Sequence, residues 1–239
     1  ANMKMDEGSR PVFTSVDGEM TDEQIRVSAE EKALFPAYVN SLGLKDENGT
    51  LLTLDADGNG SLKEYVKRVV MESAQRALDG DADLSDKTWL NIANGKVQSM
   101  DFTAYVKDIT RMKTAPAFDA LDLESPENDL FGNETTNCRH FTEYSTANTK
   151  VQGACAEAEV VKMLNPMEYV MDEKAKKAHH FRIRHGECDR DTSLVISAML
   201  VLKLREAGCE VDYHSPWNTP HAGDYDLDEL FAWIDGICG

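Results

Sequence analysis

The 239-residue sequence is poor in basic residues, since 25 Lys and Arg stand against 43 Asp and Glu and give a formal net charge of −18. Binding to nucleic-acid or lipid phosphates depends on basic contacts, so this balance argues against both kinds of partner. The sequence also lacks a signal peptide and an apolar run long enough to span a membrane. Because it begins at Ala1, we expect a processed or truncated C-terminal part of a longer protein.

Cysteine is scarce and unpatterned, with five residues and no C-x-x-C spacing. An odd number without that spacing indicates neither a disulfide framework nor a zinc site, and we expect no metal and no cofactor. For Cys188, which precedes an interesting acid, we favour a packing role over nucleophilic chemistry. The 41% hydrophobic content is compatible with the core of one large or two modest domains.

The last quarter of the chain contains the most informative pattern, in which two polar loops alternate with regular elements. Residues 181–184 predict the end of a strand, Asp189 follows in a Gly-containing loop, and Thr192 is suited to cap a helix that Gly208 ends. An extended segment over 210–214 then leads to a loop with His221 and to a helix from about Asp226 to Ile237. The order strand, acid loop, helix, strand, base loop, helix predicts an α/β fold with a mostly parallel sheet.

Asp189 and His221 have the chemistry of an acid and a base in a serine-type catalytic triad. A buried carboxylate fixes the imidazole tautomer and stabilises the imidazolium that forms when the ring takes a proton from serine. Neighbouring strand ends in a parallel sheet bring such loops together, so we expect the two side chains to meet. The alternative is an exposed loop histidine and an acid at a helix start.

Several longer segments add a family resemblance. Together they closely resemble the bacterial tannases, or tannin acyl hydrolases, over nearly the whole chain. The matching segments are Phe35–Leu42, Ile109–Lys113, Pro116–Asp119, Glu127–Asp129, Asn165–Met167, Arg182–Gly186, Asp189–Ser193 and Gly223–Leu227.

The resemblance implies an α/β-hydrolase fold with a large, mostly helical inserted lid, and cleavage of galloyl esters by the serine mechanism. It places the triad acid at Asp189 and the base at His221. It also implies that Lys113, Glu127 and Asp191 bind the three phenolic hydroxyls of gallate, by donating to one and accepting from two. We expect residues 1–160 to be the lid and 161–239 the C-terminal segment of the core.

The nucleophile of that mechanism is missing from the sequence. In α/β-hydrolases it lies in a G-x-S-x-G pentapeptide on a strand-to-helix turn, and no such pentapeptide occurs here. We therefore expect the serine and the oxyanion-hole donors on an upstream segment or a second chain, and no esterase activity from this chain alone.

Patterns in the first two thirds predict a helical lid with a hairpin. Thr21–Gln24 and Ser61–Glu64 have capping-box patterns before apolar stretches, and we expect Pro36 to end or bend the first helix. Asn94-Gly95 predicts the turn of a β-hairpin within 89–100, followed by a helix over about 102–112. The irregular stretch 113–137 is typical of a binding loop.

Four alternatives compete with this interpretation. Asp55–Leu62 resembles the start of an EF-hand calcium loop, but its twelfth position is Val66, so a polar turn is favoured. Arg184–Glu187 resembles the R-H-G-E motif of histidine phosphatases, although too little chain follows it. The third alternative is an esterase for other phenolic acids, of the feruloyl or chlorogenate type. The fourth is a non-catalytic module that binds a phenolic ligand or calcium.

Overall fold

The computed structural model describes residues 2–4, 12–14, 19–110, 113–221, 223 and 225–239. Arg111, Met112, Ala222 and Asp224, which belong to the motifs above, lie outside the described residues. The described elements, in chain order, are β1 (Asn2–Lys4), β2 (Val12–Thr14), α1 (Asp22–Ser41), α2 (Ser61–Asp79), β3 (Leu90–Ala93), β4 (Lys96–Met100), α3 (Phe102–Ile109), α4 (Pro126–Leu130), α5 (Glu143–Ala147), α6 (Ala158–Met163), α7 (Met167–Val170), β5 (His180–Arg184), α8 (Leu194–Glu206), β6 (Glu210–His214) and α9 (Leu227–Cys238).

The strands of the described part pair two by two, and the chain is a mixed α/β structure as predicted. β1 pairs with β2 and β3 with β4 in antiparallel fashion, whereas β5 pairs with β6 in parallel from His180–Glu210 to Arg184–His214. Asn94 and Gly95 have φ values of 52° and 69°, which confirms the predicted tight turn between β3 and β4. In the described residues no helix is both long and apolar enough to cross a bilayer.

Helix α1 begins as predicted but does not end as predicted. The Thr21 hydroxyl accepts from the Gln24 amide at 3.2 Å and the Gln24 side chain accepts from the Thr21 amide at 2.9 Å, a complete capping box. Pro36 lies inside the helix, which continues to Ser41, so of the two outcomes expected for it, an end or a bend, the end does not occur. The ring is buried with Val39 on one face, and this packing offsets the single backbone hydrogen bond that proline removes.

Helix α2 lacks the capping box predicted at its start. Its N-cap is Gly60, without a side-chain cap, and the Ser61 hydroxyl instead accepts from the Thr53 amide at 2.9 Å. Gly60 has φ 139°, and a Cβ there would lie 2.3 Å from the Thr53 carbonyl oxygen. The loop before α2 therefore packs so closely on the helix start that Ser61 holds the loop rather than capping the helix.

One hydrophobic core joins the middle of the chain to its C-terminal part. Apolar side chains of α2, the hairpin and α3 pack with those of α8, where Ala198 is 0% and Leu202 2% exposed. The Tyr105 hydroxyl on α3 also donates to the Glu187 carbonyl at 2.9 Å. This packing fixes the start of α8, and the loop before it, against α2 and α3. The boundary near residue 160 stays a prediction.

One further helix start differs from the sequence expectation, and one predicted helix end lies outside the described residues. The N-cap of α8 is Ser193, not Thr192, because the Thr192 amide donates to the Asp189 carboxylate and so belongs to the preceding turn. Helix α3 ends at Ile109, and its predicted end at Met112 falls outside the described residues. The stretch 113–137 is irregular as predicted except for α4, which Ser125 caps through the Glu127 amide.

Candidate active site

Asp189 lies in the loop after β5, where it is 9% exposed. Its Oδ1 accepts from the amides of Asp191 at 2.8 Å and Thr192 at 3.0 Å, and its Oδ2 lies 2.9 Å from His221 Nδ1. Burial raises the pKa of this carboxyl, but the hydrogen bonds from Thr192, His221 and Asp191 outweigh it and hold the pKa below its ordinary value. Asp189 is therefore charged at neutral pH and oriented on both oxygens.

His221 lies in the loop after β6, at the same end of the parallel strand pair as Asp189. Its side chain is 59% exposed, so the ring edge opposite Asp189 is accessible. Nε2 on that edge lies 3.6 Å from Asp191 Oδ2. With Nδ1 facing a carboxylate, the ring is held in the tautomer that leaves Nε2 free to accept a proton.

Lys113, Glu127 and Asp191, the three residues that the resemblance implied, meet beside His221. Lys113 Nζ lies 2.8 Å from Glu127 Oε1 and 3.7 Å from Asp191 Oδ1. Partial burial raises the pKa of Glu127, but hydrogen bonds from Lys113 and Ser125 prevail and lower it. Asp191, Lys113 and Glu127 thus form a polar row, which starts at the base and contains two acceptor carboxylates and one donor ammonium.

Asn128 holds the backbone that carries Glu127, a role that no sequence pattern indicated. It is 0% exposed, and its Nδ2 donates to Asp119 Oδ1 at 2.8 Å and to the Arg139 carbonyl at 3.1 Å. Its Oδ1 accepts from the Ala120 amide at 3.2 Å. Because Asn128 is the neighbour of Glu127 on α4, these bonds fix the backbone that presents Glu127.

Asp119 is the centre of this buried network, and His140 is its partner. His140 is 0% exposed, with Nδ1 2.7 Å from Asp119 Oδ1 and Nε2 2.9 Å from Thr149 Oγ1. Asp119 Oδ2 accepts from the amides of Phe141 and Thr142 and from the Thr142 hydroxyl. Although this is a second Asp–His pair, both imidazole nitrogens are enclosed, so it holds the loop together and is inaccessible to a substrate.

Glu187, the last residue of the phosphatase-like motif, is a further buried acid, and no sequence pattern predicted its burial. It is 4% exposed, and its Oε2 accepts from the Asn218 amide at 3.3 Å. Burial raises its pKa to about 7, against a lowering effect of that hydrogen bond. The acid thus titrates near neutrality inside the contact between the loops of Asp189 and His221.

An apolar cavity of about 350 Å³ lies behind the loop of Asp189. It is bounded by side chains of α1, α2, α3 and the start of α8, including Phe35, Phe102 and Leu194. Of the acid, the base and the polar row, Asp189 alone borders it. The cavity is therefore separate from the row of polar side chains.

The groups of possible cation ligands in the described residues contain neither the acid–base pair nor a member of the polar row. Within the described residues, two groups of three have metal-ligand spacing, His179 with His180 and Glu210, and His214 with Asp226 and Glu229. In the calcium-like loop, Asp55 Oδ1 accepts from the amides of Asp57 at 2.9 Å and Asn59 at 2.8 Å, which is the geometry of the polar turn.

Burial raises the pKa of the Cys188 thiol. This shift disfavours the nucleophilic thiolate and agrees with a packing role for Cys188.

His185, the histidine of the phosphatase-like motif, is 8% exposed. Its Nε2 lies 3.3 Å from the Thr192 carbonyl oxygen and its Nδ1 3.0 Å from Ser197 Oγ. A phosphoryl acceptor needs an accessible nitrogen, and here both nitrogens face protein groups. The environment of His185 therefore argues against that alternative.

Comparisons with known proteins found matches among solved structures. No family model and no curated protein matches the chain. The crystal structure of a tannase from Lactobacillus plantarum matches with a TM-score of 0.94 and 41% identity, over 99% of this chain and 50% of that one. The tannase of Fusobacterium nucleatum matches with a TM-score of 0.89 and 41% identity, over 98% and 50%.

A tannin acyl hydrolase in complex with ethyl gallate matches with a TM-score of 0.90 and 42% identity, over 94% of this chain and 49% of that one. The chain thus spans about half the length of the solved structures that it matches. Identity near 40% over nearly the whole chain goes beyond a shared fold. The chain belongs to the bacterial tannase family.

Proposed function

We propose that this chain is the lid (residues 1–160) and the C-terminal core segment (161–239) of a serine esterase of the α/β-hydrolase type. The complete enzyme hydrolyses galloyl esters of tannins and simple gallates to gallic acid. The nucleophilic serine belongs to a further segment that completes the core. The observation that carries the proposal is the continuous polar row from His221 through Asp191 and Lys113 to Glu127.

Proton transfer is the task of the Asp189–His221 pair. The serine hydroxyl attacks the ester carbonyl and gives its proton to His221 Nε2, while the bond between Nδ1 and Asp189, 2.9 Å long, stabilises the imidazolium. His221 then protonates the leaving alcohol. Water next attacks the galloyl-serine through the same base, which releases gallate and restores the serine.

Recognition of the galloyl ring is the task of the polar row. The carboxylates of Glu127 and Asp191 accept phenolic O–H bonds, and the ammonium of Lys113 donates to a phenolic oxygen. A ring without these hydroxyls displaces water from the polar row and offers the row no hydrogen bonds in exchange, which is costly. Solved tannin acyl hydrolases in complex with ethyl gallate and with 3,4-dihydroxybenzoate support a phenolic acyl group as the substrate.

The C-terminal helix supports a partner segment. Helix α9 exposes large apolar side chains at helical spacing, with Leu227 45%, Phe231 59% and Ile234 37% exposed. In the described residues, the neighbouring parallel sheet has two strands only. Parallel sheets are normally wider and covered on both faces. A segment that adds strands and packs on α9 meets both needs, and the serine comes with it.

The direct test is ester hydrolysis by this chain joined to its missing tannase segment. We expect turnover of methyl gallate, little turnover of methyl ferulate, and no turnover by the 239-residue chain alone. His221→Ala should lower kcat by about 10³-fold or more, whereas His180→Ala, at a part-exposed site on β5, should leave kcat unchanged. Preference for ferulate would favour the feruloyl-type alternative, and binding of gallate without hydrolysis would favour the non-catalytic module.

A further inference from the structure

Arg184-His185-Gly186-Glu187 lies where β5 ends, between the loop of Asp189 and the loop of His221. The proposed reaction uses none of these side chains. Arg184 joins β5 to β6, because its Nη2 lies 2.6 Å from Asp212 Oδ2 and its Nη1 donates to the Asp212 carbonyl at 2.9 Å. The other three residues make contacts directed at the acid and base loops.

His185 reaches both ends of the turn that holds the acid. Its Nε2 lies 3.3 Å from the Thr192 carbonyl oxygen and 3.3 Å from Asp189 Oδ2. Carbonyl and carboxylate oxygens can only accept, so these two contacts are hydrogen bonds in the tautomer that carries the proton on Nε2. On the other side of the ring, Nδ1 lies 3.0 Å from Ser197 Oγ, which anchors the imidazole to α8.

The Asp189 carboxylate is thereby divided between two sets of partners. Oδ1 is used by the amides of Asp191 and Thr192, and Oδ2 faces His221 Nδ1 at 2.9 Å and His185 Nε2 at 3.3 Å. Two imidazoles thus flank one oxygen. His185 thus contacts both the turn and the oxygen to which the base is bonded.

Gly186 and Glu187 hold the second loop against the first. A Cβ at Gly186 would lie 2.1 Å from the Thr219 carbonyl oxygen, so only glycine allows this approach. The Glu187 amide donates to the Pro216 carbonyl at 2.9 Å, and its carboxylate accepts from the Asn218 amide at 3.3 Å. Thr219 lies close to His221 in sequence, so these contacts set where the base loop runs.

We infer that His185 is a positioning residue, a second imidazole that holds the Asp189 carboxylate in the orientation that His221 needs. The inference rests on the proposed function for its kinetic consequence, but not for its geometric content. Gly186 and Glu187 complete the device by joining the acid loop to the base loop. The motif that resembles a histidine phosphatase is thus a clamp for an acid–base pair.

Two substitutions distinguish the effect of the His185 hydrogen-bond donor from the effect of the volume of its side chain. His185→Leu removes the N–H and fills the space with an apolar side chain of comparable size. His185→Gln instead provides an amide N–H near the position of Nε2. Nitrogen-15 NMR of the imidazoles at pH 8 reports which ring nitrogen of His185 and His221 is protonated, and it needs no substrate. In the wild-type chain we expect Nε2–H at His185 and Nδ1–H at His221.

In His185→Leu we expect His221 to become a mixture of tautomers, and in His185→Gln we expect Nδ1–H to be retained. Nδ1–H at His185 in the wild type, or an unchanged His221 in His185→Leu, would overturn the inference. The protonated nitrogen of His185 in the wild type tests the inference even if the leucine variant does not fold. Because these signals are independent of turnover, they stand apart from any failure of the proposed function.

In the complete enzyme, the kinetic effect should fall on kcat. Misplacement of the base predicts a loss of about 10- to 100-fold in kcat for methyl gallate in His185→Leu, with KM within twofold because the polar row is untouched. His185→Gln should restore most of that loss. Equal kcat values for leucine variant and wild type, or equal losses in the two variants, would contradict a positioning role for the donor.

Discussion

Glu187→Gln should change how the stability of the chain depends on pH. Burial raises the pKa of Glu187 from 4.5 to about 7, so between these values the folded chain binds a proton that the unfolded chain does not. Stability therefore falls as pH rises through this window. The flanking charges act in opposite directions, since Lys87 lowers the pKa and Asp108 raises it.

The size of the effect follows from the two pKa values. Each unit corresponds to about 1.4 kcal/mol, and integration from pH 5 to pH 8 gives a loss of about 2 to 3 kcal/mol from this carboxyl alone. Glutamine cannot ionise, and its amide oxygen still accepts from the Asn218 amide. The free energy of unfolding of the variant, relative to wild type, should therefore rise by about 2 to 3 kcal/mol between pH 5 and pH 8.

Urea unfolding at half-unit steps of pH measures this difference directly. Glu157→Gln is the matched control, because the hydrogen bond from Arg139 lowers the pKa of Glu157 and moves its titration below the window. The control difference should stay flat from pH 5 to pH 8. A change of less than about 0.5 kcal/mol in Glu187→Gln would refute the reasoning that burial controls this acid.

Three other substitutions test other parts of the structure. Asp191→Asn in the complete enzyme should reduce the preference for methyl gallate over methyl 4-hydroxybenzoate by about tenfold, and competition kinetics measures that ratio. Asp119→Ala should lower the free energy of unfolding by about 3 kcal/mol or more, since it removes the acceptor of the Phe141 and Thr142 amides and of one N–H of Asn128. Asp101→Ala removes the cap of α3, where its Oδ1 accepts from the amides of Thr103 and Ala104, and should cost about 1 kcal/mol in thermal unfolding.

Local patterns in the sequence were sufficient for many of the elements. Asn94-Gly95 predicted a hairpin, and Thr21 with Gln24 predicted the start of α1, because both signals depend on residues a few positions apart. The same kind of pattern failed at Ser61, since the loop at Thr53 competes for its hydroxyl. A competing partner distant in sequence is invisible to a local pattern.

Some residues of the candidate site could likewise be predicted from the sequence, and others could not. The order of strands and loops was enough to pair Asp189 with His221, because parallel strand ends meet at one edge of the sheet. The order of elements could not reveal the roles of His140, Asn128 and Glu187, since these roles depend on burial and on partners from other loops. Asp119 and His140 are 21 positions apart, with no regular element whose period would relate them.

The most direct test of the account is active-site labelling with a fluorophosphonate, followed by denaturing mass spectrometry. The label should appear on the segment that completes the tannase, and the 239-residue chain should stay unlabelled, both alone and in the complete enzyme. His221→Ala should abolish the labelling of that segment. A label on the 239-residue chain itself, or hydrolysis of methyl gallate by this chain alone, would contradict the claim that the chain supplies the acid and base but not the nucleophile.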